Sequence, residues 1–157
     1  MLTEIYNYFT YEMIYMWLNY GVLPMWVALI FVPNSKLSQI FITSIFLPLI
    51  FSVVYIYILF ELVALEENFL ITFNLYLGID ELINLFSNER FLLLFWIHFL
   101  AINLFLGSWV SKDSFKYNVP RILSSLCLIV IYFAGPLGLL IYWFLRIFFA
   151  KKIALYD

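Results

Sequence analysis

Four charge-free apolar runs constrain this chain more than any other feature. They are Met13–Ser35, Leu37–Phe60, Phe91–Ser111 and Ile122–Leu145. An α-helix rises ~1.5 Å per residue, so roughly 20 residues cross a hydrocarbon core ~30 Å thick. Each run is long enough, and in lipid a helix is the single segment that satisfies its own backbone. Only 11% of the 157 residues are charged, against about 25% in a soluble domain. The expected fold class is therefore all-α: an integral membrane four-helix bundle. It forms one transmembrane domain over 1–157, with spans about 13–34, 38–61, 91–111 and 122–148.

The connections differ in character. The first two spans are joined by the short link Pro33–Lys36. Between spans two and three, Glu61–Arg90 carries six acids and Arg90 around NFLITFNLYLGI (Asn68–Ile79), which holds no charge. That insert is too short to cross and reads as an interfacial or re-entrant segment. Pro24 and Pro48 predict kinks in spans one and two. With four crossings both termini share a side with the Glu61–Arg90 loop. Basic residues then divide evenly: Arg90, Arg146, Lys151 and Lys152 against Lys36, Lys112, Lys116 and Arg121. The positive-inside rule does not decide such a tie; the acids lie mostly on the terminal side, and the termini are read as external. No Lys or Arg precedes Lys36, so no signal peptide is expected and the first span should remain in the mature chain.

Polar groups inside the spans are the candidate functional residues. Span three, WIHFLAINLFLGSW, holds His98 and Asn103. At ~100° per residue they point ~140° apart, so the span should touch neighbours on two sides. Gly107, one turn beyond Asn103, permits close helix approach, across which Asn103 is expected to hydrogen-bond. His98 is expected to face the bundle interior, where an imidazole titrates near neutral pH. In span four, AGPLGLL (Ala134–Leu140) combines Pro136 with Gly135 and Gly138 and should bend or break the helix at mid-membrane. Arg146, Lys151 and Lys152 read as headgroup anchors, and Asp113 with Arg121 as an ion pair at the boundary of spans three and four.

Several chemistries are excluded. A net charge of −2 without a basic stripe implies no nucleic-acid partner. One His and one Cys supply no metal-ligand spacing, so no metal and no cofactor are expected, and Cys127 reads as a small buried apolar side chain. Nucleophile-elbow, Walker and dinucleotide-binding patterns are missing. Proton transfer remains open through His98, Glu61, Glu66, Asp80, Glu81 and Asp113.

Four stretches occur in a telling order: NYGVLPMW (Asn19–Trp26), GIDELINLFSN (Gly78–Asn88), WIHFLAINLFLGSWVSKDS (Trp96–Ser114) and GPLGLLIYWFLR (Gly135–Arg146). Over Leu18–Arg146 the chain resembles the abscisic-acid-deficient-four-like family of small four-span membrane proteins. That resemblance implies a role in neoxanthin formation, the opening of a violaxanthin epoxide to an allene. It also implies a carotenoid-biosynthetic setting in a bacterial inner membrane or plastid-type membrane. In the family's usual wording a Tyr stands at Phe99 and an Asp at Asn103, whereas His98, Gly107, Trp109 and Asp113 agree with it.

Two functional readings follow. In one, the chain is an isomerase acting on a carotenoid or related isoprenoid, with proton transfer drawn from His98, Asn103, Asp80, Glu61 and Asp113. Trp96, Phe99, Gly107, Trp109, Gly135, Pro136 and Gly138 would then shape the ligand site. In the other, it is a non-catalytic carotenoid- or lipid-binding assembly subunit, a reading the exchange at Asn103 favours. A transporter is the weaker third, since four spans without a repeat need a homo-oligomer to make a pathway.

Overall fold

The computed structural model describes residues 9–36, 38–42, 46–66 and 76–151. Among them the chain is all-α. Its helices are α1 (Tyr11–Phe31), α2 (Phe46–Glu66), α3 (Ile79–Phe86), α4 (Glu89–Lys116), α5 (Arg121–Phe133) and α6 (Gly135–Ala150), with a π-helical turn at Ser38–Ile42. Two of these, α1 and α4, are long and apolar enough to cross a membrane. Leu49–Ala64 of α2, α5 and α6 are shorter apolar helices. The expected segment at Asn68–Ile79 lies outside the described residues up to 75; its end, Tyr76 to Ile79, is exposed.

Local sequence explains the helix ends. Asn88 caps α4, its Oδ1 accepting from the amides of Arg90 (3.0 Å) and Phe91 (3.2 Å). After α1, Ser38 is fully buried because its hydroxyl donates to Val32 O (2.9 Å) while Ser35 donates to it. Pro24 lies inside α1, which runs on through it. Pro48, expected to kink a span, instead sits in the first turn of α2. There its missing N–H would have had no intrahelical acceptor anyway.

The chain divides into two compact units: Met1–Gly21 with Pro48–Leu100, and Val22–Leu47 with Ala101–Asp157. In the first, Ile58, Leu62 and Ile97 are fully buried and Phe86 of α3 meets Phe91 and Phe95 edge-on. In the second, Trp26, Leu29, Val110, Leu128, Ile131 and Tyr142 form the interior. Both units present large apolar side chains outward: Phe31, Phe60, Phe105, Phe133 and Phe148 are each at least 63% exposed.

The break expected within Ala134–Leu140 is present. Ala134, in an extended conformation, separates α5 from α6. In rising order along α6, Gly135 abuts Asn103, Tyr142 meets Trp109 and Asp113, and Arg146 meets Asp113 and Tyr117. So α6 runs in the same direction as α4. In contrast, α5 runs the other way along the end of α1: Ser125 bonds Ile30 O, and further on Tyr132 packs on Trp26. The two helices form a hairpin. Gly138 makes the bend possible, because a Cβ there would lie 2.5 Å from the backbone nitrogen of Ile131. Thirteen residues of α5 reach only about 20 Å, short of a full crossing.

Candidate functional site

In the first unit, three helices bring a carboxylate, an arginine and two phenols together. Glu61, near the end of α2, accepts from Tyr57 OH at Oε1 (2.7 Å) and from Tyr11 OH at Oε2 (2.8 Å). Arg90, at the start of α4, donates from Nε to Tyr11 OH (2.6 Å), and its guanidinium stands 5.6 Å from that ring's centre. The Tyr57–Glu61 pair follows from i,i+4 spacing on α2. Next to it lies an open groove of about 330 Å³ with an apolar wall. Phe9, Ile14, Trp17 and Leu18 line one side, and Val53, Val54 and Tyr57 the other. Tyr57 belongs to both features: its ring faces the groove and its hydroxyl holds Glu61.

The second unit buries an ion pair. Asp113 Oδ2 accepts from Arg146 Nε (2.8 Å) and from Tyr142 OH (2.7 Å). Arg146 is 1% exposed, lies 4.8 Å from the Tyr117 ring centre and 5.5 Å from that of Trp143, and reaches Tyr117 OH at 3.4 Å. Two expectations are corrected here. Arg146 is no headgroup anchor, and Asp113 pairs with it rather than with Arg121, because the hairpin lifts residue 146 level with residue 113.

Asn103 is also buried, and among the described residues its Nδ2 has no hydrogen-bond partner. The interhelical bond expected of it is not made by that nitrogen. Its Oδ1 packs so closely on Gly135 that a Cβ there would overlap it. The close approach expected at Gly107 is present: Trp26 Cη2 would lie 2.7 Å from a Cβ.

A family model described as ABA DEFICIENT 4-like matches residues 13–142. The chain belongs to that family. No curated protein and no solved structure gives a match.

The positions at which this ABA DEFICIENT 4-like chain was expected to act fall in both units. In the first are Glu61, Asp80, Trp96, His98 and Phe99; in the second are Asn103, Gly107, Trp109, Asp113, Gly135, Pro136 and Gly138. His98 is exposed and stands 6.4 Å, centre to centre, from the ring of Tyr55, so its expected inward orientation is corrected. Asp80 is exposed in the first turn of α3. Trp96 stacks on Phe99 (5.2 Å) and points Nε1 at Asn19 Oδ1 (3.3 Å). Trp109 meets Tyr142 edge-on, Gly135 and Gly138 are buried at the hairpin bend, and Pro136 is exposed. Sequence reading named Glu61 but missed Tyr11, Tyr57 and Arg90, which assemble on it. Tyr57 was detectable from its spacing; Tyr11 and Arg90 were not, being fifty and twenty-nine positions from Glu61. Among the described residues no cluster of three metal-ligating side chains occurs.

Proposed function

We propose that this member of the ABA DEFICIENT 4-like family binds a carotenoid or related isoprenoid in the groove between α1 and α2 and isomerises its epoxide end group. The observation that carries the reading is the junction of an apolar groove with a hydrogen-bonded carboxylate–phenol pair at Tyr57 and Glu61. An apolar wall suits a polyene, and ring opening needs an acid at the epoxide oxygen and a base at the carbon that loses its proton. In balance, one C–H and one C–O bond break, a carbon–carbon double bond and an O–H bond form, and no net proton is gained. Glu61 takes the carbon-bound proton and the Tyr57 phenol supplies the one on oxygen.

The wholly apolar wall favours a second reading, in which the chain holds the pigment unaltered and presents it to another protein. Expression in cells that make violaxanthin or another epoxy-carotenoid, followed by pigment analysis, separates the two. A new allenic isomer supports catalysis, and co-purified unaltered pigment supports the binder. No pigment effect defeats both.

The same proposal includes an integral multi-pass setting in a single transmembrane domain. In it α1, α2 and α4 cross the bilayer, while α5 and α6 enter and leave on one side. Support comes from the course of α6 along α4 and from charge. With this path, Arg90 alone lies on the side of the N-terminus, and Lys36, Lys112, Lys116, Arg121, Lys151 and Lys152 lie opposite. The tie that four crossings produced becomes a strong bias, placing the C-terminus on the cytoplasmic side and the N-terminus outside.

A further inference from the structure

We infer that the bend between α5 and α6 binds an uncharged hydroxyl, of a water molecule or of a hydroxylated ligand, on the carboxamide of Asn103. All the groups involved belong to the second unit. Asn103 projects from the middle of α4 and is 5% exposed, and among the described residues its Nδ2 is a buried donor without an acceptor. The carboxamide is aimed at the bend. A Cβ on Gly135, the first residue of α6, would have Oδ1, Cγ and Nδ2 of Asn103 as its three nearest neighbours, with Cγ at 3.1 Å and Nδ2 at 3.6 Å. A buried donor left unmatched costs the full desolvation of its N–H, so an acceptor is expected beside it.

The bend supplies what else an occupant needs. Ala134 N bonds Val130 O, which leaves the carbonyls of Ile131, Tyr132 and Phe133 without an amide from their own helix. On the other side, Gly135 and Leu137 open α6 with amides that have no acceptor within it, and Pro136 between them has no N–H. The negative end of α5 thus meets the positive end of α6, and the two partial charges offset each other. Such a place favours neither an anion nor a cation. A hydroxyl suits it, because its oxygen accepts from Nδ2 while its proton goes to a carbonyl. Phe133, Pro136 and Leu137, which flank the bend, are exposed, so the bend is open to its surroundings although the carboxamide behind it is buried. In a bilayer the freed backbone groups of a broken helix are matched by neighbours or by water. The inference does not rest on the pigment reading, whose groove lies in the other unit.

NMR tells water from a ligand hydroxyl. The full chain is made with isotope-labelled asparagine and held in micelles of a deuterated detergent that has no hydroxyl group. The Asn103 side-chain amide is assigned by its loss in Asn103→Leu. Cross-relaxation from that amide to water, separated from exchange by its sign, assigns water as the occupant. Contact with added geranylgeraniol instead of water, and none with squalene, a hydrocarbon without the hydroxyl, assigns a ligand. Asn103→Leu nearly keeps the side-chain shape and removes the donor. With the site occupied, this variant should unfold at a lower temperature than the parent; with the donor truly orphaned, its removal would raise that temperature. Absence of contact with both water and geranylgeraniol, or an unfolding temperature of Asn103→Leu equal to or above the parent's, overturns the inference.

Discussion

Arg146 Nε donates to Asp113 Oδ2 across 2.8 Å, and the two side chains are 1% and 9% exposed. Nothing in the spacing of residues 113 and 146 announces this bond. It exists because α6 doubles back along α4, and it holds the returning arm of the hairpin in place. Asp113→Ala leaves a guanidinium buried without its counter-charge, which typically costs about 3–5 kcal/mol. Thermal unfolding in micelles should show that loss, and Asp113→Leu combined with Arg146→Met should restore most of it. A single Asp113→Ala variant as stable as the parent would contradict the pairing.

The bend should be sensitive to one methyl group. Gly135→Ala drives a Cβ into Asn103 Oδ1, and overpacking of this kind costs about 1–3 kcal/mol. Asn103→Ala should suppress the defect, because it removes the obstructing carboxamide together with an unpartnered N–H. Unfolding temperatures of the two single variants and the double variant test this, and additive losses would refute it.

Glycines in the second unit should differ in their tolerance. Gly138→Ala meets the backbone of Ile131, which cannot move without opening the bend. Gly107→Ala meets the far edge of the Trp26 ring, which can swing by a few tenths of an ångström. Folded yield and unfolding temperature should therefore fall further for Gly138→Ala.

If Glu61 and Tyr57 carry proton transfer, Glu61→Gln and Tyr57→Phe should each reduce epoxide isomerisation about 100-fold or more, the usual scale for general acid–base groups. Pigment should still bind, since the groove wall keeps its apolar surface. His98→Ala should leave conversion near the parent level, because that imidazole is exposed outside the Glu61 network. Pigment chromatography reads all three, and loss of conversion in His98→Ala alone would move the chemistry away from Glu61.

The path proposed for the hairpin places the two ends of the chain on opposite sides of the membrane. A reporter fluorescent only in the cytoplasm should light up when fused after Asp157. One active only outside should work when fused before Met1. Reporters on the same side at both ends would restore a fourth complete crossing.

The sequence by itself determined the all-α class, two helices long and apolar enough for a bilayer, the family, and the discontinuity at Ala134–Gly138. These follow from composition, run length and the backbone chemistry of Pro and Gly, all of which act locally. It also displayed Glu61 as a candidate, and the Tyr57–Glu61 and Tyr142–Arg146 pairs are present in i,i+4 spacing. Only the tertiary structure decided whether the break at Ala134 was a kink in a crossing helix or the turn of a hairpin. A Pro–Gly segment permits both, and the choice rests on which distant residues bond: Asp113 with Arg146, Asn103 against Gly135. The same holds for His98, whose exposure is set by the neighbours that α4 happens to meet. Helical periodicity fixes the angle between two side chains on one helix, but it carries no information about which of those directions another helix will fill.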